Sequence, residues 1–576
     1  MNASVADAFA TGSDHLAEIT QVLAVISLSQ MKPTLFLVWC SVLLGQQPIL
    51  YHRGAINAAS LAPFGLPNGL IARGSVFTIF GENLGPAQFQ TVSAFPLLPV
   101  FGEVSISVTQ KSVVTPAIPI FISTAQINAI MPSSIKAGLA TLRLTYQGRR
   151  SNAITLQIGE SAPGVFAISG GGYGPGVIQN YIAADNQPVN SLVTPAAPGQ
   201  TITIWATGLG PVTFADNVAP TPGDVTANVS ITVGGFPATK LYSGRAPCCS
   251  GVDQLVVTVP LNAPLGCWVP LAITAGGVVS NTTTIAIAPA GAASCDDPGN
   301  PLSKLVRTPG SQAFIHAERI DSIENVDFAP AVHKTVDKLY SRFYARSDSP
   351  FNFDPYLSYP PAGSCLVHQT SGDASFALTL RGALPAAASL KPQPKQTYNN
   401  GTQPLIFTPG RAYFLSTMGG AVDSTSVGVN LLGTNSTFTI DPAGPAEVSL
   451  PLSVASPPAW TRPNGILAIP RNAPFSVTFT PGDSAAPTAI LIFSYAAATN
   501  STVEVQCLVP PGANSFTIPA ESLANLPPTY GIIDGSYTNL FIGTLGLNKA
   551  TSFTGPLATT GLLMNSNWLA QSVVIQ

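Results

Sequence analysis

Glu318, Asp321, Glu324 and Asp327 lie close together in the chain, with His316 and His333 on either side. Two carboxylates facing each other across a cleft can share acid and base work on a glycosidic bond, and a β-rich hydrolase needs no more than such a pair. The whole segment 302–350 is rich in charge, with Arg319, Asp337, Lys338, Arg342 and Arg346 among its residues, so the same acids also read as a solvated face or as ion-pair partners. Beside them crowd Tyr340, Phe343, Tyr344, Phe351, Phe353, Tyr356 and Tyr359. Aromatic rings offer flat faces on which a sugar or a protein side chain can stack, which makes Tyr340, Tyr344, Phe351, Tyr356 and Tyr359 the candidate ligand contacts. Packed inward, the same rings would be the core of a domain.

Spacings that announce other chemistry are missing. The sequence holds no His-Glu-x-x-His, no Gly-x-Ser-x-Gly, no phosphate loop ending in Gly-Lys-Ser/Thr and no EF-hand loop. Gly170–Gly176 is glycine-rich, but no Lys follows, no helix pattern begins there, and Pro175 removes an amide, so a turn is expected rather than a phosphate cradle. No catalytic, cofactor-binding or metal-ligating residue is assigned.

Cysteine gives a firmer signal. Beyond Cys40 stand Cys248, Cys249, Cys267, Cys295, Cys365 and Cys507, an even set that suits disulfides in an exported chain. Sequence alone leaves the connectivity open. The simplest expectation is local bridging of Cys248 or Cys249 with Cys267 and Cys295, which leaves Cys365 for Cys507. A metal site is disfavoured, because no Cys-x-x-Cys occurs and the five histidines are scattered.

These residues must be positioned by elements, and the chain repeats one set of elements twice. Ala72-Arg-Gly-Ser-Val-Phe-Thr-Ile-Phe-Gly-Glu-Asn-Leu-Gly-Pro86 returns as Ala197-Pro-Gly-Gln-Thr-Ile-Thr-Ile-Trp-Ala-Thr-Gly-Leu-Gly-Pro211 at an offset of 125, and Val104–Val108 returns as Val229–Val233 at the same offset. Pro132 and Gly138 match Pro260 and Gly266 at 128, and Ser151-Asn152 matches Ser280-Asn281 at 129. Drift confined to loops, with alternating apolar positions kept in register, is what duplication of a folded β-unit leaves behind. Trp205 and Trp268 fall inside repeat strands, where core packing is expected.

The Gly-Leu-Gly-Pro corner, the Gln-(Ile/Leu)-x-x-x-(Met/Val)-Pro segment and the closing Ser-Asn resemble the immunoglobulin-like IPT/TIG domains. More narrowly, Asn57-Ala-Ala-Ser60 with Ser75–Leu84, and Asn190-Ser191 leading to Pro195–Pro211, resemble the module repeated in secreted proteins of acidobacterial type. The resemblance covers roughly residues 54–290. It implies a tandem of β-sandwiches and carries over no catalytic residue; related modules serve in adhesins and as spacers in polysaccharide-acting enzymes.

Composition agrees. Charged residues make up 9% of the chain against about 25% in ordinary soluble domains, and 51 Gly with 53 Pro favour turn-rich sandwiches over exposed helices. A net charge of −3 with no basic run argues against nucleic acid as a partner. Met31-Lys-Pro-Thr followed by ten apolar or small residues and Gly45 has the outline of a secretory signal, which leaves no membrane-spanning segment after its removal. Asn228, Asn281, Asn400, Asn435 and Asn500 open Asn-x-Ser/Thr triplets, which matter only in a glycosylating host.

The expected organisation is therefore all-β. It comprises an extension 1–30, a signal 31–47, an Ig-like module 54–160, a hairpin linker 161–194, a second module 195–290, a β-rich domain 300–457 and a C-terminal β-rich domain 458–576. The segment 332–344 reads either as an amphipathic helix or as a twisted hairpin, with strands favoured by its flanks. The expected function is that of a secreted or cell-surface structural, adhesive or binding protein, its partner an extracellular protein or glycan. The alternative is an extracellular polysaccharide-acting hydrolase with its active site in the C-terminal half.

Overall fold

The computed structural model describes residues 46–223, 225–324, 332–372, 387–389, 395–399, 404–407, 413–415, 437–441, 448–451, 455–462, 467–529, 535–555 and 558–576. The expected extension 1–30 and nearly all of the signal segment 31–47 lie outside them, as do Asp327, Asn400 and Asn435. Strands dominate, and the fold is all-β with tandem Ig-like sandwiches. Two compact units interleave in sequence: one holds the chain through Asn190 with Ala196–Ala263 and Leu271–Ile285, the other Ser191–Pro195, Pro264–Pro270 and Ala286–Gln576.

In the first unit, Val76–Glu82 alternates Phe77 and Ile79 into a sandwich core shared with Ile106, Val108, Ile127, Leu142, Leu144 and Leu156, all buried. One strand, Val113–Ile122, serves both sheets. Its first half pairs with Val104–Gln110 and its second half, from Ile118, with Gln126–Ile130, and the register slips between Pro119 and Phe121 just after it crosses over.

The second copy repeats these pairings. Val76 faces Ile130 and Phe80 faces Gln126, as Thr201 faces Thr258 and Trp205 faces Gln254. Val104 faces Tyr146 and Val108 faces Leu142, as Val229 faces Ala275 and Val233 faces Leu271. The offsets of 125, 128 and 129 thus carry one ladder onto the other, residue for residue. Within 161–194, Gly164–Val165 and Ile178–Asn180 add to the second copy's sheet by pairing with Thr201–Thr207.

The Ser-Asn pair has the same task in each copy. Ser151 Oγ accepts the Leu144 N–H at 2.9 Å, and Ser280 Oγ accepts the Ile273 N–H at 3.0 Å. The following Asn side chain then bonds both backbone groups of one residue on an incoming segment: Asn152 with Leu50 (2.7 and 3.0 Å), Asn281 with Val165 (2.8 and 3.0 Å). The amide imitates a strand neighbour and so satisfies a backbone edge that would otherwise be buried unpaired.

The two copies meet on a second apolar cluster that includes Ala59, Val76, Ile130, Phe166, Ala246 and Val252. Trp205 packs against it while its Nε1 donates to Gln179 Oε1 at 2.9 Å, so this ring has a structural role. Beside the seam lies a buried ion pair, Arg245 Nη1 to Asp253 Oδ1 at 2.7 Å, with the Leu209 N–H also donating to the carboxylate.

In the second unit, Gly310–Glu324 and Val332–Arg346 form a long antiparallel ladder, which resolves 332–344 as strand. Its Val, Tyr and Phe residues suit a pleated surface, and a partner strand is present to pair with, so the helical spacing is overridden. Ala558–Ile575 runs parallel to Gly310–Glu324 on one side and antiparallel to Tyr537–Leu545 on the other. Ser364–Ser371 pairs with Ser501–Val509 in the same sheet. Strands from both sides of residue 457 therefore build one sheet, and the boundary expected at 457/458 does not separate two of them here.

Among the described residues three disulfides are present. Cys365 joins Cys507 across paired strands, and Cys267 joins Cys295. The expected bridging of Cys248 or Cys249 to those two is corrected: Cys248 bonds its own neighbour Cys249. Cys267 is the second residue of the strand Gly266–Ala275, whereas Cys248 and Cys249 sit on a turn packed against the seam between the copies, so each pair is used up locally.

Candidate functional site

The sequence-chosen residues divide. Phe314, Phe353 and Tyr359 are buried, so these rings are core rather than an exposed platform, while Tyr356, which meets Phe314 edge to face at 5.3 Å between ring centres, and Phe351 are half-buried. Tyr340 and Tyr344 lie on Val332–Arg346 opposite His316 and Gln312. Among the acids, Asp321 pairs with Arg462 at 3.2 Å, as an ion-pair partner, and Glu318 lies on the same strand. Glu324 ends that strand and His333 faces Ile323 across the ladder.

His316 stands at the centre of a buried polar cluster. Its Nδ1 is hydrogen-bonded with the Tyr356 hydroxyl, and its Nε2 lies 2.8 Å from Ser566 Oγ. Ser566 Oγ accepts the Trp568 indole N–H, also at 2.8 Å. The residue types are those of a nucleophile and its base, but Ser566 is 0% exposed and its oxygen is already engaged by the indole, so no substrate reaches it. The cluster stitches Gly310–Glu324 to Ala558–Ile575.

A different set of side chains lines a cavity of about 850 Å³: Asp296, Asp297, Lys304, Arg307 and Asp348, with Leu192, Val193 and prolines as its apolar part. Local sequence builds it. Asp297-Pro-Gly-Asn300 closes a β-turn, the Asn300 N–H donating to the Asp297 carbonyl at 3.0 Å, with Pro and Gly in the central positions that favour such turns. Asn300 Oδ1 then accepts the Leu302 N–H and leads into the short helix Ser303–Arg307. Leu302, Leu305 and Val306 are fully buried, which turns Lys304 and Arg307, three residues apart, to the other side and toward the cavity.

Tethers hold the remaining walls. The Cys267–Cys295 bridge fixes the loop, the Cys295 N–H donates to the Leu192 carbonyl at 3.0 Å, and the Leu192 N–H donates to the Pro350 carbonyl at 2.9 Å. The Cys267 N–H donates to both carboxylate oxygens of Asp297, at 3.1 and 3.2 Å. Gly266 makes that approach possible, since a Cβ there would stand 2.8 Å from Asp297 Oδ1 and 2.7 Å from Pro361 Cγ.

The carboxyls differ in state. Burial pushes Asp297 up to about 6, against the opposing pull of the Cys267 N–H and the Arg307 guanidinium, with Asp296 adding to the rise. Asp296 is exposed and pairs with Arg307 Nη1 at 3.2 Å. Lys304 and Asp348 are exposed, and among the described residues no ion pair engages either. Among the described residues no group of three or more His, Cys, Asp or Glu is placed to hold a metal ion.

Sequence reading passed over this site. Its signal was Asp296-Asp-Pro-Gly299, a stretch where two acids follow a cysteine directly and run into a turn.

No protein-family model matches the chain, and no curated protein matches it in sequence. Among solved structures, one similar chain is SGBP-B of the Bacteroides ovatus mixed-linkage glucan utilization locus, solved with a mixed-linkage heptasaccharide. The identity is 13% over 49% of this chain and 67% of that one, with a TM-score of 0.20. The Prevotella bryantii surface glycan-binding protein PbSGBP-B is 14% identical, with a TM-score of 0.13, and the match spans 42% of each chain, under half its length. A tetra-tandem repeat from the extending region of a large adhesion protein is 12% identical over 88% of this chain and 97% of that one, with a TM-score of 0.12. At such scores none of these likenesses decides anything about this chain.

Proposed function

We propose that this chain is a secreted or cell-surface binding protein in which a pair of IPT/TIG-like sandwiches accompanies a C-terminal unit that takes a glycan in the Asp296–Arg307 cavity. One observation carries the reading: a cavity of about 850 Å³ brings carboxylates and cations together over apolar walls. Neighbouring sugar hydroxyls offer paired donors and acceptors, which a carboxylate and a guanidinium match side by side, and the prolines, Leu192 and Val193 suit the ring's C–H face. One of the similar structures is named as a surface glycan-binding protein and another was solved with a heptasaccharide, but the reading rests on the cavity. Three disulfides suit an oxidising compartment.

The full chain, applied to an array of glycans and matrix proteins, is expected to retain a glycan class and to lose about tenfold or more in affinity for it on Arg307→Ala, the size of effect that a charge-assisted hydrogen bond supports. Binding only to proteins, or glycan binding that Arg307→Ala leaves unchanged, overturns this assignment.

A second reading follows from Asp297. A carboxyl raised to about 6 in a cavity that Asp348 also lines offers a general acid and a second carboxyl, the pair a polysaccharide-acting hydrolase uses. New reducing ends released from a bound polysaccharide, and abolished by Asp297→Asn, would favour it over binding alone.

A further inference from the structure

The Cys248–Cys249 bond differs in kind from the other two. Cys267–Cys295 and Cys365–Cys507 each close a loop, over separations of 28 and 142 residues, whereas Cys248 and Cys249 are chain neighbours. A disulfide stabilises mainly by restricting the unfolded chain, and a bond between neighbours closes no loop to restrict. What it can do is fix the shape of the turn that contains it.

That turn is seated on the other copy. It folds back through the Ala246 N–H to the Val252 carbonyl (2.9 Å) and the Val252 N–H to the Cys249 carbonyl (3.2 Å). At its end Gly251 has φ +78, and a Cβ there would stand 2.8 Å from Val76 Cγ2 and 3.2 Å from Ile130 Cγ1, so the backbone lies directly against the first copy's sheet. The Gly251 carbonyl accepts the Thr207 hydroxyl, and Thr207 Oγ1 in turn accepts the Val76 N–H at 2.9 Å, a relay that runs from the turn to the first copy. Cys248 and Cys249 pack on the apolar cluster of the same seam, yet both are half-buried, beside the exposed Pro247.

We propose that Cys248–Cys249 is a reducible latch on the seam between the two Ig-like copies, opened by a dithiol reductant. The reductant's thiolate attacks one sulfur and the other leaves as a thiolate. Its second thiolate then resolves the mixed disulfide, so that two electrons and two protons end on Cys248 and Cys249 and the reductant becomes a disulfide. Freed of the ring, the turn loses its fixed shape and the relay to Val76 loosens, while both sandwich cores stay folded. The inference does not depend on the ligand of the cavity.

The test uses the full oxidised chain under limiting dithiothreitol, with the new thiols mapped by mass spectrometry and amide exchange followed residue by residue. An arylarsine oxide serves as the probe for adjacent thiols, since its arsenic takes both sulfurs with loss of water. Expected are arsenical capture at Cys248 and Cys249 before any thiol appears at the other four cysteines, and exchange at Val76 and Val252 faster by about tenfold or more, with Ile106 and Leu142 unchanged. The Cys248→Ser, Cys249→Ser double variant should show the same fast exchange without reductant. Opening of Cys267–Cys295 or Cys365–Cys507 first, or unchanged exchange at Val76 and Val252 once the bond is open, overturns the latch.

Discussion

Asp297 is the residue whose surroundings say most about conditions. Its carboxyl lies above its ordinary range because burial disfavours the charge, so the folded value of about 6 exceeds the usual 3.8. A raised acid binds its proton more tightly folded than unfolded. Its contribution to stability is therefore full below pH 3.8 and is lost as pH rises through about 6. Asp297→Asn keeps a carbonyl for the Cys267 N–H and removes the charge. Relative to the parent chain, this variant should be more stable at pH 7.5 than at pH 4, by thermal melting at both values, and a constant difference would contradict the assignment. Asp483 shows the opposite sign: Lys549 at 2.7 Å and the Ala485 N–H hold it down to about 2, so what it contributes persists until strong acid.

Among the elements, the closing Ser-Asn is where motif and mechanics coincide. Asn281→Ala strands a buried backbone N–H and C=O that the side chain now pairs, at a cost of roughly 2–4 kcal/mol, whereas at Asn152, which is exposed, water can replace the lost bonds and Asn152→Ala costs less. Denaturant unfolding should show the larger loss at Asn281, which is 3% exposed and also donates to the Gly172 carbonyl at 2.7 Å. The same burial leaves its Asn-x-Thr triplet out of reach of a glycosylating enzyme. Arg245→Ala would leave Asp253 buried without its cation, a loss on the order of 3–5 kcal/mol in the same experiment. A loss under about 1 kcal/mol would mean that the pair is replaceable by the amides around it.

For the whole molecule, both loop-closing bridges, Cys267–Cys295 and Cys365–Cys507, lie in the unit that contains Ala286–Gln576. Closing loops of 28 and 142 residues is worth roughly 3.5 and 5 kcal/mol in the chain-entropy account. Full reduction should thus lower the melting of that unit far more than that of the first, resolved by amide exchange during heating; equal shifts would count against this account. Alternation and offset were enough to determine, from sequence alone, that this chain is all-β and that one sandwich occurs twice, because strand periodicity and register are local properties of the chain. Cys365 with Cys507 was only what remained once the other four cysteines were expected to pair locally, in a connectivity that sequence leaves open. The pairing of Cys248 with Cys249, the sheet shared across residue 457 and the cavity of Asp296, Asp297, Arg307 and Asp348 were decided only by tertiary structure. Each depends on which distant segments come to lie side by side, and the physical contacts that choose them, such as Leu192 on Pro350 or Cys267 on Asp297, leave no periodic trace in the sequence.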